Sequence, residues 1–179
     1  VVGSSLENIL IECEEYYYDT YVQDTFNRQK PDLVKIKTAA KKDVEHVQIS
    51  PDGKYLAYSI HQGGFFKVYI KDLATGKKKK IEHAGFKSDN YPFDYAYPLI
   101  AWTPGGTQLS VVYERKDEIQ HHVYNSKGKK LSSKPIRKLD RVYHLSYTPD
   151  GNKLILSGQH RGQSDIFTYD LVMDVLTPI

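Results

Sequence analysis

One local pattern recurs three times in this sequence and restricts the folds that the chain can adopt. An apolar segment leads into a turn that contains proline and glycine, and a second apolar segment follows. The first copy reads VEHVQISPDGKYLAYSI from Val44, the second YPLIAWTPGGTQLSVVY from Tyr97, and the third RVYHLSYTPDGNKLILS from Arg141. A pattern that recurs at a nearly constant period predicts a repeat architecture before any other fold.

The three copies also agree in register. The prolines of their turns are Pro51, Pro104 and Pro149. Apolar positions after the turns are Leu56, Leu109 and Leu154. At the same distance downstream, each copy reaches an Asx residue: Asp72, Asn125 or Asp170. The matched Asx position makes three unrelated hairpins in a sandwich the weaker alternative.

Each copy has the local chemistry of paired strands. Apolar residues alternate with others before the turn, which is the period of a β-strand. Proline presets φ in the turn, aspartate bonds nearby backbone and glycine accepts positive φ. These turns are Pro51-Asp52-Gly53 and Pro149-Asp150-Gly151, with Gly105 in place of the aspartate after Pro104. A third strand ends at each Asx, whose side chain is expected to bond the backbone two residues on, and a short fourth strand closes the unit.

Four antiparallel strands in about 40–45 residues are the size of a propeller blade. The sequence therefore predicts an all-β fold: a partial β-propeller of three four-stranded antiparallel blades, preceded by one N-terminal α-helix. The predicted blades span about 44–82, 98–136 and 142–179 within a repeat region of 41–179. Residues 1–40 are expected to hold the helix, a spacer and a stray closing strand at Leu33–Thr38.

The helix prediction depends on the segment SSLENILIECEEYYYDTYV. Ser4 and Glu7 have the spacing of a capping box. An apolar stripe at helical spacing follows: Leu6, Ile9, Leu10, Cys13, Tyr16 and Tyr17. We expect this stripe to cover an open edge of a blade, because bare sheet edges invite pairing with other chains.

The repeat resembles the WD40-like PD40 repeat of the β-propeller in the bacterial periplasmic protein TolB. The resemblance lies in Ser50-Pro51-Asp52-Gly53-Lys54 with Asp72 and Gly76, and in Pro149-Asp150-Gly151 with Asp170. The middle copy departs from it at Gly105 and Asn125. The resemblance implies a propeller and a place in the periplasm or cell envelope, as in the large TolB-like envelope proteins of Bacteroidetes-type bacteria. It also leaves open a peptidase, since PD40 blades build the propellers of prolyl-oligopeptidase-like enzymes.

Propellers typically close with 4–8 blades, and three do not close a ring. We therefore expect the chain to be part of a longer propeller, or to have its edges covered by another chain. The expected partners are a protein or peptide, with the remaining blades of the same parent protein among them.

Composition restricts the function further. The net charge of +3 is too balanced to indicate nucleic-acid binding, and no apolar run is long enough for direct membrane insertion. Cys13 is the single cysteine, so neither an internal disulfide nor a cysteine metal cluster is expected. No cofactor is expected. The four-lysine run Lys77 to Lys80 fits a solvated outer strand better than an anion-binding patch.

Catalytic and metal signatures are missing from the sequence. It has no Gly-x-Ser-x-Gly, no His-Glu-x-x-His and no phosphate loop, so no catalytic residue is expected. Adjacent residues of a strand point to opposite faces, so His121 and His122 are not expected to bind one ion. We expect them at exposed strand positions. The other histidines show no ligand spacing, and no metal site is predicted.

Propeller topology indicates one candidate binding surface. Loops between blades and loops that join second to third strands share one face. The candidate residues on it are Tyr91, Phe93, Asp94, Tyr95, Lys116, His160 and Arg161. Aromatic residues beside charged ones are typical of protein interfaces. The alternative is that these aromatics, with Tyr97, pack over the blade. The favoured function is a non-enzymatic scaffold that binds a protein or peptide, and the alternative is the accessory propeller of a peptidase whose catalytic domain lies elsewhere.

Overall fold

The computed structural model describes residues 6–22, 36, 43–62, 64–85 and 96–179. These residues belong to two compact units, Val1–Ile36 and Lys37–Ile179. The predicted capping residue Ser4 and the predicted strand at 33–38, apart from residue 36, lie outside the described residues.

The first unit contains the predicted helix. Helix α1 spans Leu6–Tyr17 and continues as a π-helical turn over Tyr18–Val22. Its apolar residues Leu10 and Tyr17 are exposed. The expectation that this stripe covers a blade edge stays a prediction.

The second unit is built of three separate four-stranded antiparallel sheets. The first sheet contains β1 (Asp43–Ile49), β2 (Tyr55–Gln62), β3 (Phe65–Asp72) and β4 (Lys78–Gly85). The second contains β5 (Leu99–Trp102), β6 (Gln108–Arg115), β7 (Glu118–Asn125) and β8 (Lys130–Pro135). The third contains β9 (Arg141–Tyr147), β10 (Lys153–His160), β11 (Gln163–Asp170) and β12 (Val175–Pro178).

The sheets stand side by side in propeller order. Within each sheet the strands follow the order of the sequence, and β5 lies against both β1 and β9. In a propeller, the first strand of each blade lies next to the first strands of its neighbours, and the other strands of the blade extend away from the central axis. The structure therefore confirms the all-β partial propeller of three blades with one N-terminal helix.

The core lies mainly between neighbouring blades. The completely buried residues include Val68 on β3, Leu109 on β6 and Leu154 on β10. Phe66 of the first blade and Tyr113 of the second meet edge to face, with ring centroids 5.4 Å apart. Burial of an aliphatic side chain contributes about 1.5–3 kcal/mol, so the contacts between blades carry much of the stability.

The repeated turns have the predicted chemistry. In the first, the Gly53 amide donates to the Ser50 carbonyl oxygen at 2.8 Å, and Gly53 has a φ of 71°. The turns that end at Gly106 and Gly151 repeat this bond at 2.8 Å. This is a type I turn followed by a left-handed glycine, which joins two strands of a hairpin.

The Asx residues differ from the expectation in their reach. The Asp72 carboxylate accepts from the Thr75 amide at 2.8 Å, three residues on, and it also interacts with the Ala74 amide, two residues on. The Asn125 side-chain oxygen accepts from the Lys129 amide at 2.8 Å, four residues on. Asp170 bonds both the second and the third following amides, at 3.0 and 2.9 Å. The wider span follows from turns longer than the minimal Asx turn.

Candidate functional site

One end of the blades carries the turns that join second to third strands. We call this end the loop face: residues 62, 64–65, 115–118 and 160–163, together with the first residues of β1, β5 and β9. Antiparallel topology places these segments together, because the second strand ends where the first strand begins. The turns of the Pro-Asp-Gly type lie at the opposite end.

The second-blade turn presents the candidate residue Lys116. Lys116 and Asp117 have φ values of 54° and 59°. Positive φ at both central residues defines a type I′ turn, which matches the twist of the two strands it joins. A shallow cavity of about 400 Å³ lies at this turn and is lined by Arg115, Lys116, Glu118 and Gln120.

The third-blade turn presents Arg161 in the same manner. Arg161 and Gly162 have φ values of 49° and 79°, again a type I′ turn. Arg161 is exposed and His160 is half-buried. The Nδ1 atom of His160 is buried and has no hydrogen-bond partner among the residues that the structure describes. The fold thus places Lys116, His160 and Arg161 on the loop face.

The candidates Tyr91, Phe93, Asp94 and Tyr95 fall in the segment 86–95, outside the described residues. Their role at the interface stays a prediction. For Tyr97, at the end of the same insertion, the packing alternative is correct. Its side chain is buried, and its hydroxyl accepts a hydrogen bond from the Val142 amide at 2.9 Å.

The expectation that His121 and His122 are exposed is wrong. They are only 4% and 6% exposed. The reason is that β7, unlike an outer strand, lies inside its blade, so both of its faces are covered by neighbouring blades. The two rings do point to opposite sides, as a regular strand requires. His121 is hydrogen-bonded to Ser110, which is in turn hydrogen-bonded to Tyr147 of the third blade. His122 is hydrogen-bonded to Glu82 of the first blade.

His121 and Ser110 form a buried pair. The Ser110 Oγ lies 2.7 Å from His121 Nε2 and 2.6 Å from the Tyr147 hydroxyl. Burial, followed by the neighbouring His122, lowers the pKa of His121 to about 4, so the ring is neutral at pH 7. A hydroxyl beside a neutral imidazole resembles a nucleophile with its base. Ser110 is 0% exposed, however, and no substrate reaches it, so the pair joins the second and third blades.

Glu82 is the centre of a polar cluster between the first and second blades. His122 Nδ1 and the Tyr124 hydroxyl donate to Oε2, the latter at 2.5 Å, and Lys130 Nζ lies 3.2 Å from it. The His83 amide donates to Oε1 at 3.0 Å. Burial by itself would raise the pKa of Glu82, but these hydrogen bonds outweigh it and lower the pKa to about 2.

A second cluster lies on the loop face, where β1 begins and β2 ends. It contains Glu45, His46 and His61, whose ligand-type atoms all lie within 4.8 Å of one another. Glu45 Oε2 is 3.5 Å from His61 Nε2 and 3.8 Å from His46 Nε2. No sequence signal pointed to this cluster, because the spacing of its histidines matches no ligand motif. The cluster depends on a β-bulge between Glu45 and Gln48.

The lysine run has the predicted solvated character. Lys77 to Lys80 are exposed, and the last three lie on the outer strand β4. Among the described residues, no helix has both the length and the apolar character needed to cross a membrane.

No protein-family model and no curated protein sequence matches the chain. Solved structures do resemble it. TolB from Acinetobacter baumannii is 20% identical with a TM-score of 0.58, over 76% of this chain and 32% of that chain. The apo isopeptidase AtxE2 is 15% identical with a TM-score of 0.57, over 75% and 28%. The β-propeller domain of the trilobed protease from Pyrococcus furiosus is 13% identical with a TM-score of 0.56, over 80% and 45%.

These similarities establish the β-propeller fold of the blades. The chain spans less than half the length of each of the three structures. The three include TolB and two proteins named as peptidases, so one blade architecture accompanies different activities.

Proposed function

We propose that the three blades are a non-catalytic scaffold of the bacterial cell envelope that binds a protein or peptide at the loop face. The remaining blades of a longer parent protein are a further proposed partner, and they would cover the open edges of the outer blades rather than the loop face. The PD40-like turns and the TolB-like blades support the envelope location.

The difference between the two ends of the blades carries this proposal. At the end opposite the loop face, the turn carboxylates accept hydrogen bonds from their own backbone. Asp52 accepts from the Lys54 amide at 3.2 Å, and Asp72 and Asp170 do the same in their turns. At the loop face, Lys116 and Arg161 project outward from type I′ turns. Lys116 also lines the shallow cavity at its turn, and long exposed cationic side chains suit the recognition of a polar peptide.

A peptide-display selection on the immobilised chain tests the proposal. Peptides selected on the wild type should bind the Lys116→Ala, Arg161→Ala double variant about ten-fold more weakly, because the variant removes both candidate cations of the loop face. The matched control is Lys127→Ala, an exposed lysine on the β7–β8 turn at the opposite end. Equal losses in variant and control, or no loss in either, would contradict binding at the loop face.

The predicted aromatic contacts extend this test. Replacement of Tyr91, Phe93 and Arg161 by alanine should weaken capture of the same peptides while the β-rich circular dichroism spectrum stays unchanged. A lost spectrum would make these residues structural instead. Cell fractionation with an antibody to the chain tests the envelope location separately.

The second candidate function is the propeller of a peptidase, favoured by the likeness to the AtxE2 isopeptidase and the trilobed protease domain. In that case the catalytic residues lie outside this chain. A fluorophosphonate probe applied to the natural protein from cells, combined with its intact mass, separates the two. Covalent labelling on a segment beyond this chain supports the serine peptidase, and an unlabelled natural protein favours the scaffold.

A further inference from the structure

We propose that Glu45, His46 and His61 form a binding site for a first-row divalent metal ion, with Zn²⁺ as the ion that tests it. Two imidazoles and one carboxylate are a common protein ligand set for zinc. The site is a property of the first blade and does not depend on what binds the loop face.

The distances fit a metal ion with little rearrangement. Zinc binds nitrogen and oxygen at about 2.1 Å, so two ligand atoms at the corners of a tetrahedron lie about 3.4 Å apart. Glu45 Oε2 lies 3.5 Å from His61 Nε2 and 3.8 Å from His46 Nε2. These two separations exceed the tetrahedral edge by only a few tenths of an ångström, and all three ligand-type atoms lie within 4.8 Å of one another.

A distortion of β1 brings these residues together. Neighbouring residues of a regular strand point to opposite faces, which would separate Glu45 from His46. The β-bulge after Glu45 and the φ of 50° at His46 interrupt that alternation. A left-handed conformation at a non-glycine residue costs about 1 kcal/mol or more, and such outliers are concentrated at functional sites.

The strand pairing supplies the third ligand and holds it in place. Glu45 pairs with Ser59, so His61 lies two residues further along β2 on the same face. The Ser59 hydroxyl donates to the Glu45 carbonyl oxygen at 3.0 Å and lies 3.1 Å from His61 Nε2. Zinc would displace the Ser59 contact and take the Nε2 lone pair of His61, and the proton of this ring would then sit on Nδ1.

The site is anchored on one side and open on the other. His61 is buried, whereas the side chains of Glu45 and His46 are 31% and 24% exposed. A metal ion can therefore enter from solvent and keep coordination positions for water or for a group of a bound partner. Asp43, the register partner of His61, is a further carboxylate on the same face.

Zn²⁺ titration of the chelator-treated chain by calorimetry is the first experiment. We expect one equivalent to bind, and we expect Glu45→Gln and His46→Asn each to weaken binding by at least about ten-fold. Asparagine tolerates the left-handed backbone at position 46, and its amide is a poor zinc ligand. Because His61 is buried, its replacement would affect folding as well as metal binding. The test therefore uses substitutions of Glu45 and His46, which are partly exposed.

Two matched controls make the result specific. His144→Asn alters the exposed residue of β9 that occupies the position of His46 in the third repeat. Cys13→Ser removes the single thiol. Both should leave Zn²⁺ affinity within about two-fold of wild type, and Co²⁺ absorption should show nitrogen and oxygen ligands without thiolate. Absence of saturable binding, unchanged affinity in both ligand variants, or loss in either control would overturn the site.

Discussion

Replacement of Glu82 by glutamine tests the polar cluster between the first two blades. Glutamine keeps the size of the side chain and resembles the uncharged carboxyl group. The carboxylate is 9% exposed and accepts from His122, Tyr124 and the His83 amide. Removal of its charge therefore weakens several buried hydrogen bonds at once, without opening a cavity.

The magnitude follows from the pKa of Glu82. Since one pKa unit corresponds to about 1.4 kcal/mol, the fall from 4.5 to about 2 stabilises the folded chain by about 3 kcal/mol at pH 7. The folded-state pKa lies below the unfolded-state value. The contribution is therefore complete above about pH 5 and is lost as the pH falls from 4.5 to about 2.

Urea denaturation followed by tryptophan fluorescence measures this effect. Trp102 is the single tryptophan and lies at the same blade interface, where its Nε1 donates to the Gln48 carbonyl oxygen at 3.3 Å. We expect Glu82→Gln to lower the free energy of unfolding by about 3 kcal/mol at pH 7, and by roughly half as much near pH 3. The control is Glu118→Gln, an exposed carboxylate on β7 that should change it by less than about 0.5 kcal/mol.

A difference between wild type and Glu82→Gln below about 1 kcal/mol at pH 7 would refute the reasoning, because the hydrogen bonds would then not favour the charged form. A large difference that stays constant between pH 7 and pH 3 would refute it too. Such a result would assign the loss to packing rather than to the charge of Glu82.

Four other substitutions test the contacts within and between blades by the same denaturation assay. Ser110→Ala should cost about 1–3 kcal/mol, because the Tyr147 hydroxyl loses its partner in a part-buried site; a neutral effect would contradict a joining role. Gly128→Ala should destabilise more than Gly53→Ala: both have positive φ, but only at 128 would the added Cβ meet a neighbour, at 2.8 Å. Equal losses of stability in the two glycine variants would mean that the positive φ, and not the contact of the added Cβ, causes the destabilisation. Asp170→Ala should lower the urea midpoint measurably, because its turn loses two hydrogen bonds. An unchanged urea midpoint would contradict a stabilising role for this turn.

The loop-face candidates show which features of the site can be predicted from the strand order of a blade. Lys116 and Arg161 were predicted on the loop face because the strand order of a propeller blade fixes which turns share an end. The structure places both there, on type I′ turns. Topology does not predict the concave patch beside Lys116, since its shape depends on where the side chains of neighbouring strands lie.

The sequence by itself determined the blades. Strand alternation, Pro-Asp-Gly turns and the Asx residue that ends each third strand act over a few residues, so each copy specifies its own hairpins wherever it lies. Because these signals recur in the same register in all three copies, the sequence also predicts that the resulting blades pack side by side. The helix α1 is likewise specified locally, by a stripe at helical spacing.

Only the tertiary structure decided which side chains meet across blades. Glu82 and His122 are separated by 40 residues in the sequence. The sequence pattern predicted an exposed strand position for His122, whereas its side chain is buried against the first blade. The bulge that turns His46 beside Glu45 also left no sequence signal. The physical reason is the same in both cases. Burial and register are properties of a strand together with its neighbours, whereas periodicity reports only the strand itself.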